Sequence, residues 1–300
     1  MAQSGTQVRT TDRPTAVAAD PASRAGFGER LRAAVTERGP LCVGIDPHPG
    51  VLDRWELPRD ASGLERCARG MIEAVAGRVA VVKPQSAFFE AYGSAGIAVL
   101  ELVLDDAAQA GVLTLLDVKR GDIGSTMDAY AAAYLADGSS LAADAITVSP
   151  YLGAGSLDGT IALAKQTGRG VYVLAATSNP EGASVQRATT PDGSTISQSI
   201  IDAAAAHNVD DAAAGRWGSV GVVFGATVPA EHGLNLGTLS GSILAPGLGA
   251  QGGTVADLHE VFGTAYPYVL PSSSRGILNA GPSIDAIRAA VASTQDSLRA

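Results

Sequence analysis

The sequence of 300 residues has only two cysteines and no long apolar run. Cys42 and Cys67 lie in apolar or helical stretches without metal-ligand spacing, so we expect buried thiols in a reducing compartment rather than a disulfide or a zinc site. No run approaches the ~18–20 apolar residues that span a bilayer. Residues 1–24 carry scattered charges and no hydrophobic core, which predicts a flexible leader and neither a signal peptide nor an anchor. These absences favour a cytoplasmic location.

Positive charge is also scarce. The chain has 21 Lys and Arg against 30 Asp and Glu, and no cluster of basic residues. Because binding to a phosphate backbone needs such a cluster, we expect no nucleic-acid partner, and any anionic ligand must be held locally. The four histidines show no metal-ligand spacing. We interpret them as surface or structural residues: His48, His207, His232 and His259.

Short apolar runs alternate with longer amphipathic or Ala-rich stretches from residue 25 onward. Eight repeats of strand and helix predict a parallel sheet, and eight is the strand number of a closed (β/α)₈ barrel. We therefore predict a single-domain α/β protein, a TIM barrel over residues 25–300. A doubly wound open sheet is the alternative, disfavoured because no G-x-G-x-x-G follows the first strand. The predicted strands are Leu41–Asp46, Val79–Gln85, Leu113–Lys119, Ala145–Pro150, Gly170–Ser178, Ser219–Thr227, Ile243–Gly249 and Tyr268–Ser273.

The connections between these strands contain predicted helices and one long loop. The longest irregular stretch, Asn179–Ser194, follows the fifth strand and contains two prolines and two glycines. Long loops at this face of a barrel usually cover a site, so we interpret it as a lid, with a flexible insertion as the alternative. The predicted helices include Ala61–Ala76, Ser94–Ala110, Thr126–Ala136, Ser156–Lys165, Ser197–His207 and Pro282–Ala300.

The segment LLDVKRGDIGST, residues 115–126, carries the strongest functional signal. On a strand, Asp117 and Lys119 share a face, and Asp122 follows just beyond. This spacing fits a catalytic array or a structural ion pair. Barrel active sites form at the carboxyl ends of the strands, and four strand ends contribute ionisable groups here, which favours an active site. The other residues at these ends are Asp46, Lys83, Ser178, Gln251 and Arg275.

The last two strands indicate an anion site. The segment PGLGAQGG, residues 246–253, includes Gly252 and Gly253, and backbone N–H groups of glycines can approach a ligand closely. The segment SSSRG, residues 272–276, places Arg275 just past the eighth strand, where its guanidinium could clamp an anion with two hydrogen bonds. Barrels often hold a phosphate after strands seven and eight.

These residues resemble the family of orotidine 5′-phosphate decarboxylases, which make UMP in pyrimidine biosynthesis. The family signature D-x-K-x-x-D-I-x-x-T is matched by Asp117, Lys119, Asp122, Ile123 and Thr126. Further matches lie in GIDPHP, VVKPQ, AATSNP and PGLGAQGG and at the arginine after the eighth strand. The resemblance covers roughly residues 25–300. It implies decarboxylation of orotidine 5′-monophosphate to UMP without a metal or organic cofactor.

The resemblance also implies the roles of four charged residues. Lys119 would face C6 of the pyrimidine, stabilise the carbanion left by loss of CO₂ and donate the replacing proton. Asp117 would lie near the departing carboxylate. Asp122 would come from the neighbouring subunit of a homodimer and complete a chain with Lys83, Asp117 and Lys119 that keeps the catalytic lysine charged and oriented.

The remaining matches imply contacts to the rest of the substrate. Asp46 and Lys83 suit the ribose hydroxyls, and Thr126 would reach the ribose across the dimer interface beside Asp122. Ser178 offers a hydroxyl and a backbone amide to the polar edge of the pyrimidine. The phosphate would be held after the last two strands, by Gln251, Gly252, Gly253 and Arg275.

The sequence departs from many family members in two places. Pro84 and Gln85 follow Lys83 where an apolar residue and glycine are common, and the loop after Ser178 is longer. Both departures resemble the longer bacterial subgroup of the family.

Three alternatives remain. A Mg²⁺-dependent phosphate-sugar synthase or decarboxylase on the same barrel needs an acidic ligand where Lys83 ends the second strand. A non-catalytic nucleotide-binding barrel leaves Lys119 and its aspartates unexplained. A Schiff-base aldolase needs a free amine, which flanking carboxylates disfavour.

Overall fold

The fold is a closed barrel of eight parallel strands in a computed structural model that describes residues 24–249 and 252–299. Each strand pairs with the next, and β8 pairs with β1, which confirms the predicted (β/α)₈ barrel. All but the last residue of the predicted leader lies outside the described residues. The strands are β1 Cys42–Ile45, β2 Val81–Pro84, β3 Leu113–Arg120, β4 Ala145–Val148, β5 Gly170–Ala176, β6 Gly218–Phe224, β7 Gly241–Pro246 and β8 Val269–Ser273.

Helices precede the first strand and follow most of the others. Each of the six predicted helices has a counterpart, with ends that differ by a few residues. None of the described helices is long and apolar enough to cross a membrane. The helices are α1 Phe27–Arg38, α2 Pro49–Arg54, α3 Ala61–Val75, α4 Ala87–Glu90, α5 Gly93–Gln109, α6 Gly124–Leu135, α7 Asp158–Gln166, α8 Ala183–Gln186, α9 Ile196–Ala206, α10 Val209–Ala213, α11 Val255–Phe262, α12 Arg275–Leu278 and α13 Ile284–Arg299.

One part of the predicted alternation is wrong, because the connection from β6 to β7 contains no helix. Residues 225–240 of this connection are all described, and none of them is helical. Pro229 lacks an N–H group, and Gly233 has a φ of 69°, a left-handed conformation outside the helical range. The connection is held instead by buried apolar side chains, including Leu236 and Leu239.

Local sequence signals explain where the helices begin. The Asp60 side chain accepts hydrogen bonds from the backbone N–H groups of Ser62 and Gly63, so it caps α3. Thr254 and Asp257 form a reciprocal capping box at the start of α11. Along α3 the side chains of Leu64, Cys67 and Met71 follow helical spacing and are fully buried against the barrel.

The inside of the barrel is filled and closed at its amino-terminal end. Interior side chains such as Cys42, Leu115 and Tyr172 form one buried cluster with Phe27 and Leu31 of α1. The ring of Phe27 meets that of Tyr172 edge to face, with 6.0 Å between centroids. Because α1 occupies this end, the carboxyl ends of the strands are left to form a ligand site.

The predicted buried thiols are confirmed. Cys42 and Cys67 are both free and buried. Burial raises the pKa of the Cys67 thiol to about 12, so it stays protonated at neutral pH. Burial has the same effect at Cys42 and outweighs the opposing influence of the Lys83 ammonium.

The loop Asn179–Ser194 is more regular than its sequence predicts. It contains the 3₁₀ turn Pro180–Gly182 and the short helix α8, and a bridge joins Thr189 to Thr195, the residue directly after the loop. Gln186 ties the loop to the end of β5, because its side-chain oxygen accepts from the Thr177 backbone N–H and its amide donates to the Thr177 hydroxyl.

Candidate active site

A cavity of about 510 Å³ opens at the carboxyl ends of the strands. Six of the predicted site residues line this cavity. They lie in β1, β2, β3, β5 and β8 or just beyond the ends of these strands. These residues are Asp46, Lys83, Asp117, Lys119, Ser178 and Arg275.

Asp117 lies at the centre of the polar network. Lys83 Nζ lies 3.1 Å and Gln85 Nε2 3.0 Å from Asp117 Oδ2. On the other oxygen, Lys119 Nζ lies 2.5 Å and the Thr147 hydroxyl 2.8 Å from Asp117 Oδ1. Four donors from three neighbouring strands or their ends therefore orient one carboxylate, which is almost wholly buried.

The two lysines decide the charge state of Asp117. Burial by itself would raise the pKa of Asp117, but the positive charges of Lys83 and Lys119 and the hydrogen bonds from Lys119 and Thr147 lower it to about 2. Burial alone would lower the pKa of Lys83, but the carboxylates of Asp46 and Asp117 raise it above its ordinary range. Both partners are thus charged at neutral pH.

Asp46 lies beside this network with unused hydrogen-bonding capacity. Its Oδ1 is buried and lies 3.8 Å from Lys83 Nζ, beyond hydrogen-bond distance. No donor in the described part of the chain is close enough to bond to that oxygen.

Lys119 differs from Lys83 in exposure and in backbone conformation. Its side chain is 47% exposed, against 6% for Lys83, so its ammonium faces the open cavity while it contacts Asp117. Its φ is 45°, in the left-handed region that residues with a β-carbon rarely adopt. Non-glycine residues held in this region often occur at functional sites.

The predicted anion site is only partly formed around the cavity. Arg275, the first residue of α12, and Gly247 both line it. Gly252 and Gly253 do not, because their N–H groups donate to the backbone carbonyls of Gly249 and Gly247 within the turn. In this structure the turn therefore closes on itself. Gln251 lies outside the described residues.

Asp122 and Thr126 do not line the cavity of their own chain. Asp122 follows β3, and its Oδ1 accepts a hydrogen bond from the Ile123 backbone N–H at 2.8 Å. Thr126 lies in the first turn of α6 and is exposed. A single polypeptide thus brings together three of the four charged residues of the predicted network: Lys83, Asp117 and Lys119.

Sequence reasoning missed several residues around the site, among them Gln85, Thr147, His48 and Phe88. Gln85 lies two residues after Lys83, so on a strand the two side chains point to the same face, and this spacing could have predicted Gln85 at the site. Thr147 is the one polar residue of the otherwise apolar strand β4. His48 and Phe88 also line the cavity, with ring centroids 6.0 Å apart, so His48 packs on an aromatic ring at the site itself.

The described residues also define what the site could coordinate. Within residues 24–249 and 252–299, no three His, Cys, Asp or Glu side chains are grouped in a way that could hold a metal ion. The cavity wall instead combines ammonium, guanidinium, amide and hydroxyl donors with two carboxylates, a set suited to an anionic polar ligand.

Comparisons with known proteins agree with this geometry. The sequence model of the Orotidine 5′-phosphate decarboxylase / HUMPS family matches residues 39–290. The chain is 59% identical over 264 residues to an orotidine 5′-phosphate decarboxylase of Salinispora arenicola, covering 88% of this chain and 94% of that protein. It is 52% identical over 264 residues to one of Streptomyces coelicolor, with the same coverage.

Solved structures show the same relationship. The crystal structure of a Streptomyces avermitilis protein assigned as an orotidine 5′-phosphate decarboxylase superposes with a TM-score of 0.90 at 48% identity, covering 95% of this chain and 98% of that one. The OMP decarboxylase of Leishmania donovani superposes with a TM-score of 0.71 at 28% identity, covering 91% and 97%. The chain therefore belongs to the orotidine 5′-phosphate decarboxylase / HUMPS family.

Proposed function

We propose that this protein decarboxylates orotidine 5′-monophosphate to UMP, with Lys119 as the proton donor to C6. The observation that carries the proposal is the contact of 2.5 Å between the Lys119 ammonium and the Asp117 carboxylate at the wall of the cavity. The relatives are named orotidine 5′-phosphate decarboxylases, and the matches cover 94% of their length, which supports the same reaction.

The chemistry follows from where charge develops. The bond between C6 and the carboxylate breaks, CO₂ leaves, and the electron pair stays on C6. The Lys119 ammonium stabilises this negative charge, and its N–H proton then forms the new C6–H bond, which leaves a neutral amine. The Asp117 carboxylate accepts a hydrogen bond from the Lys119 ammonium at 2.5 Å and so holds this proton donor at the wall of the cavity.

Other cavity residues fit the remaining parts of the nucleotide. Arg275 carries a permanent charge for the phosphate and lines the cavity together with Gly247 and Leu248. We assign Gln251, Gly252 and Gly253, which follow Leu248 closely in the sequence, to the same group. Asp46 and Lys83 offer an acceptor and a donor to the ribose hydroxyls. Ser178 lies beyond β5, where its hydroxyl and amide suit the pyrimidine edge.

The active unit in this proposal is a homodimer in which Asp122 and Thr126 enter the neighbouring site. Both residues lie outside their own cavity. The loops after β3 and β4 start side by side, since the Ser149 N–H donates to the carbonyl of Arg120, the last residue of β3, at 2.7 Å. Together these loops expose three apolar side chains that a second copy of the chain would cover: Ile123 (62% exposed), Tyr151 (79%) and Leu152 (51%).

The loop Asn179–Ser194 is the lid in this proposal. It begins directly after the cavity residues Thr177 and Ser178, although none of its own residues lines the cavity. Closure would exclude water from the site. Hydrogen–deuterium exchange with and without UMP tests this role, and equal exchange in this loop would contradict it.

The decisive experiment mixes the purified protein with orotidine 5′-monophosphate and EDTA, follows the loss of orotate-type absorbance, and identifies UMP chromatographically. We expect turnover by the wild type and none detectable by Lys119→Ala. Lys165→Ala is the matched control, because Lys165 lies on the outer helix α7 and bonds to the His207 carbonyl.

Each other outcome rejects a defined part of the proposal. No turnover by the wild type under any condition would reject the reaction. Turnover only after addition of Mg²⁺ would favour the metal-dependent relatives. Equal activity of Lys119→Ala and Lys165→Ala would reject Lys119 as the proton donor.

A further inference from the structure

Thr147 joins the two residues at the centre of the site through one hydroxyl group. It lies in β4 and is fully buried. Its Oγ1 lies 2.9 Å from the backbone nitrogen of Lys119 and 2.8 Å from Asp117 Oδ1. Because the Lys119 N–H can only donate, the hydroxyl accepts there and gives its own hydrogen to the carboxylate.

This hydroxyl lies where the pairing of β3 with β4 is interrupted. The ladder is regular up to Leu116 opposite Ile146 and resumes with Arg120 opposite Val148. Three residues of β3 therefore face the single residue Thr147, as in a β-bulge. Within this break the side chain of Thr147 supplies the acceptor for the Lys119 N–H.

The break is also where the backbone of β3 is least favourable. Lys119 has a φ of 45°, a left-handed conformation that is unfavourable for a residue with a β-carbon. Such a conformation persists only when its surroundings hold it. Among the described contacts of Lys119, the bond from its N–H to Thr147 acts directly on the strained backbone.

We propose that Thr147 is a positioning residue. It holds the break in β3 and so fixes the positions of Asp117 and Lys119 relative to each other and to the cavity. This role rests on the proposed function only for its catalytic consequence, since the hydrogen bonds themselves are independent of the reaction. The alternative is that Thr147 merely fills space in β4.

The test compares Thr147→Val, which keeps the shape and removes the hydroxyl, with Thr147→Ser, which keeps the hydroxyl. Thr160→Val is the matched control, because Thr160 is also buried but its hydroxyl has no hydrogen-bond partner among the described residues. For Thr147→Val we expect kcat for orotidine 5′-monophosphate to fall roughly tenfold to hundredfold, with KM nearly unchanged. Thr147→Ser should recover most of kcat.

A second readout does not depend on activity. The carboxyl ¹³C resonance of Asp117, assigned by its loss in Asp117→Asn, is followed through an acid titration. The charged groups that face Asp117, Lys83 on β2 and Lys119 on β3, are unchanged in both variants, and Asp46 after β1 faces Lys83. Thr147→Val should titrate at higher pH than the wild type, and Thr147→Ser should titrate close to the wild type.

The two readouts separate the two claims. If the wild type lacks decarboxylase activity but the Asp117 titration shifts as expected, the proposed function fails and the positioning role stands. If Thr147→Val keeps the wild-type titration and kcat, as Thr160→Val should, the positioning role is overturned. If Thr147→Val does not fold, the comparison of Thr147→Ala with Thr147→Ser decides by the same readouts.

Discussion

Lys83 Nζ lies 3.1 Å from Asp117 Oδ2, and both side chains are almost completely buried. Neither charge has enough water to stabilise it alone, so each depends on the other. Asp117 has a second cation in Lys119, but that ammonium is half exposed and is the group proposed to lose a proton. The buried cation is thus the permanent partner of the carboxylate.

Replacing Lys83 is therefore expected to destabilise the protein. Lys83→Met leaves the Asp117 carboxylate without its buried partner, and loss of one member of a buried pair typically costs about 3–5 kcal/mol. Urea denaturation followed by circular dichroism measures this loss. Arg59→Met is the control, because Arg59 pairs with Asp53 at the surface and its loss should not change the denaturation midpoint measurably. A wild-type midpoint for Lys83→Met would contradict the expectation.

The depressed pKa of Asp117 predicts how stability depends on pH. Asp117 has a pKa of about 2 in the folded protein, against 3.8 ordinarily. A carboxyl group with a lowered pKa in the folded state contributes stability above its unfolded pKa and loses it as the pH falls through the folded value. The difference in unfolding free energy between wild type and Asp117→Asn should therefore shrink by about 2 kcal/mol from pH 5 to pH 2. A difference that stays constant over this range would contradict the ionised pair.

Arg275 should act on the phosphate and not on the reacting carbon. Removing a charged hydrogen-bond donor from a bound phosphate typically costs a factor of about 10 to 100 in binding. For Arg275→Ala we expect KM for orotidine 5′-monophosphate to rise by that factor. The nucleoside orotidine, which lacks the phosphate, should be turned over equally by both proteins, and Arg288→Ala on α13 should behave as the wild type. An equal loss with orotidine would place the effect of Arg275 elsewhere.

The barrel could be predicted because its strands are buried on both faces. All four residues of β1, β2 and β4 are buried, so these strands appear in the sequence as apolar runs interrupted only by Lys83 in β2 and Thr147 in β4. The connection from β6 to β7 could not be predicted, because its packing by Leu236 and Leu239 depends on distant parts of the fold. The regular alternation of strands and helices predicted a helix in this connection, and the structure has none there.

The site divides along the same line. Asp117 and Lys119 follow from local strand spacing, and Asp46, Lys83 and Arg275 follow from their places at strand ends. The role of Thr147 depends on a register break between two strands, which no local pattern in the sequence records. The closed turn at Gly252 and Gly253 likewise depends on hydrogen bonds to Gly247 and Gly249.

A shared site predicts that two inactive variants restore activity when they are mixed. In the proposed homodimer each cavity uses Lys119 of its own chain and Asp122 of the partner. A mixed dimer of Lys119→Ala and Asp122→Asn then has one cavity with both changes and one cavity with neither. Random association makes half of the dimers mixed, so unfolding and refolding an equimolar mixture should restore about a quarter of the wild-type activity. If Asp122 acts within its own chain, every cavity carries one of the two changes, and the mixture should be no more active than its components.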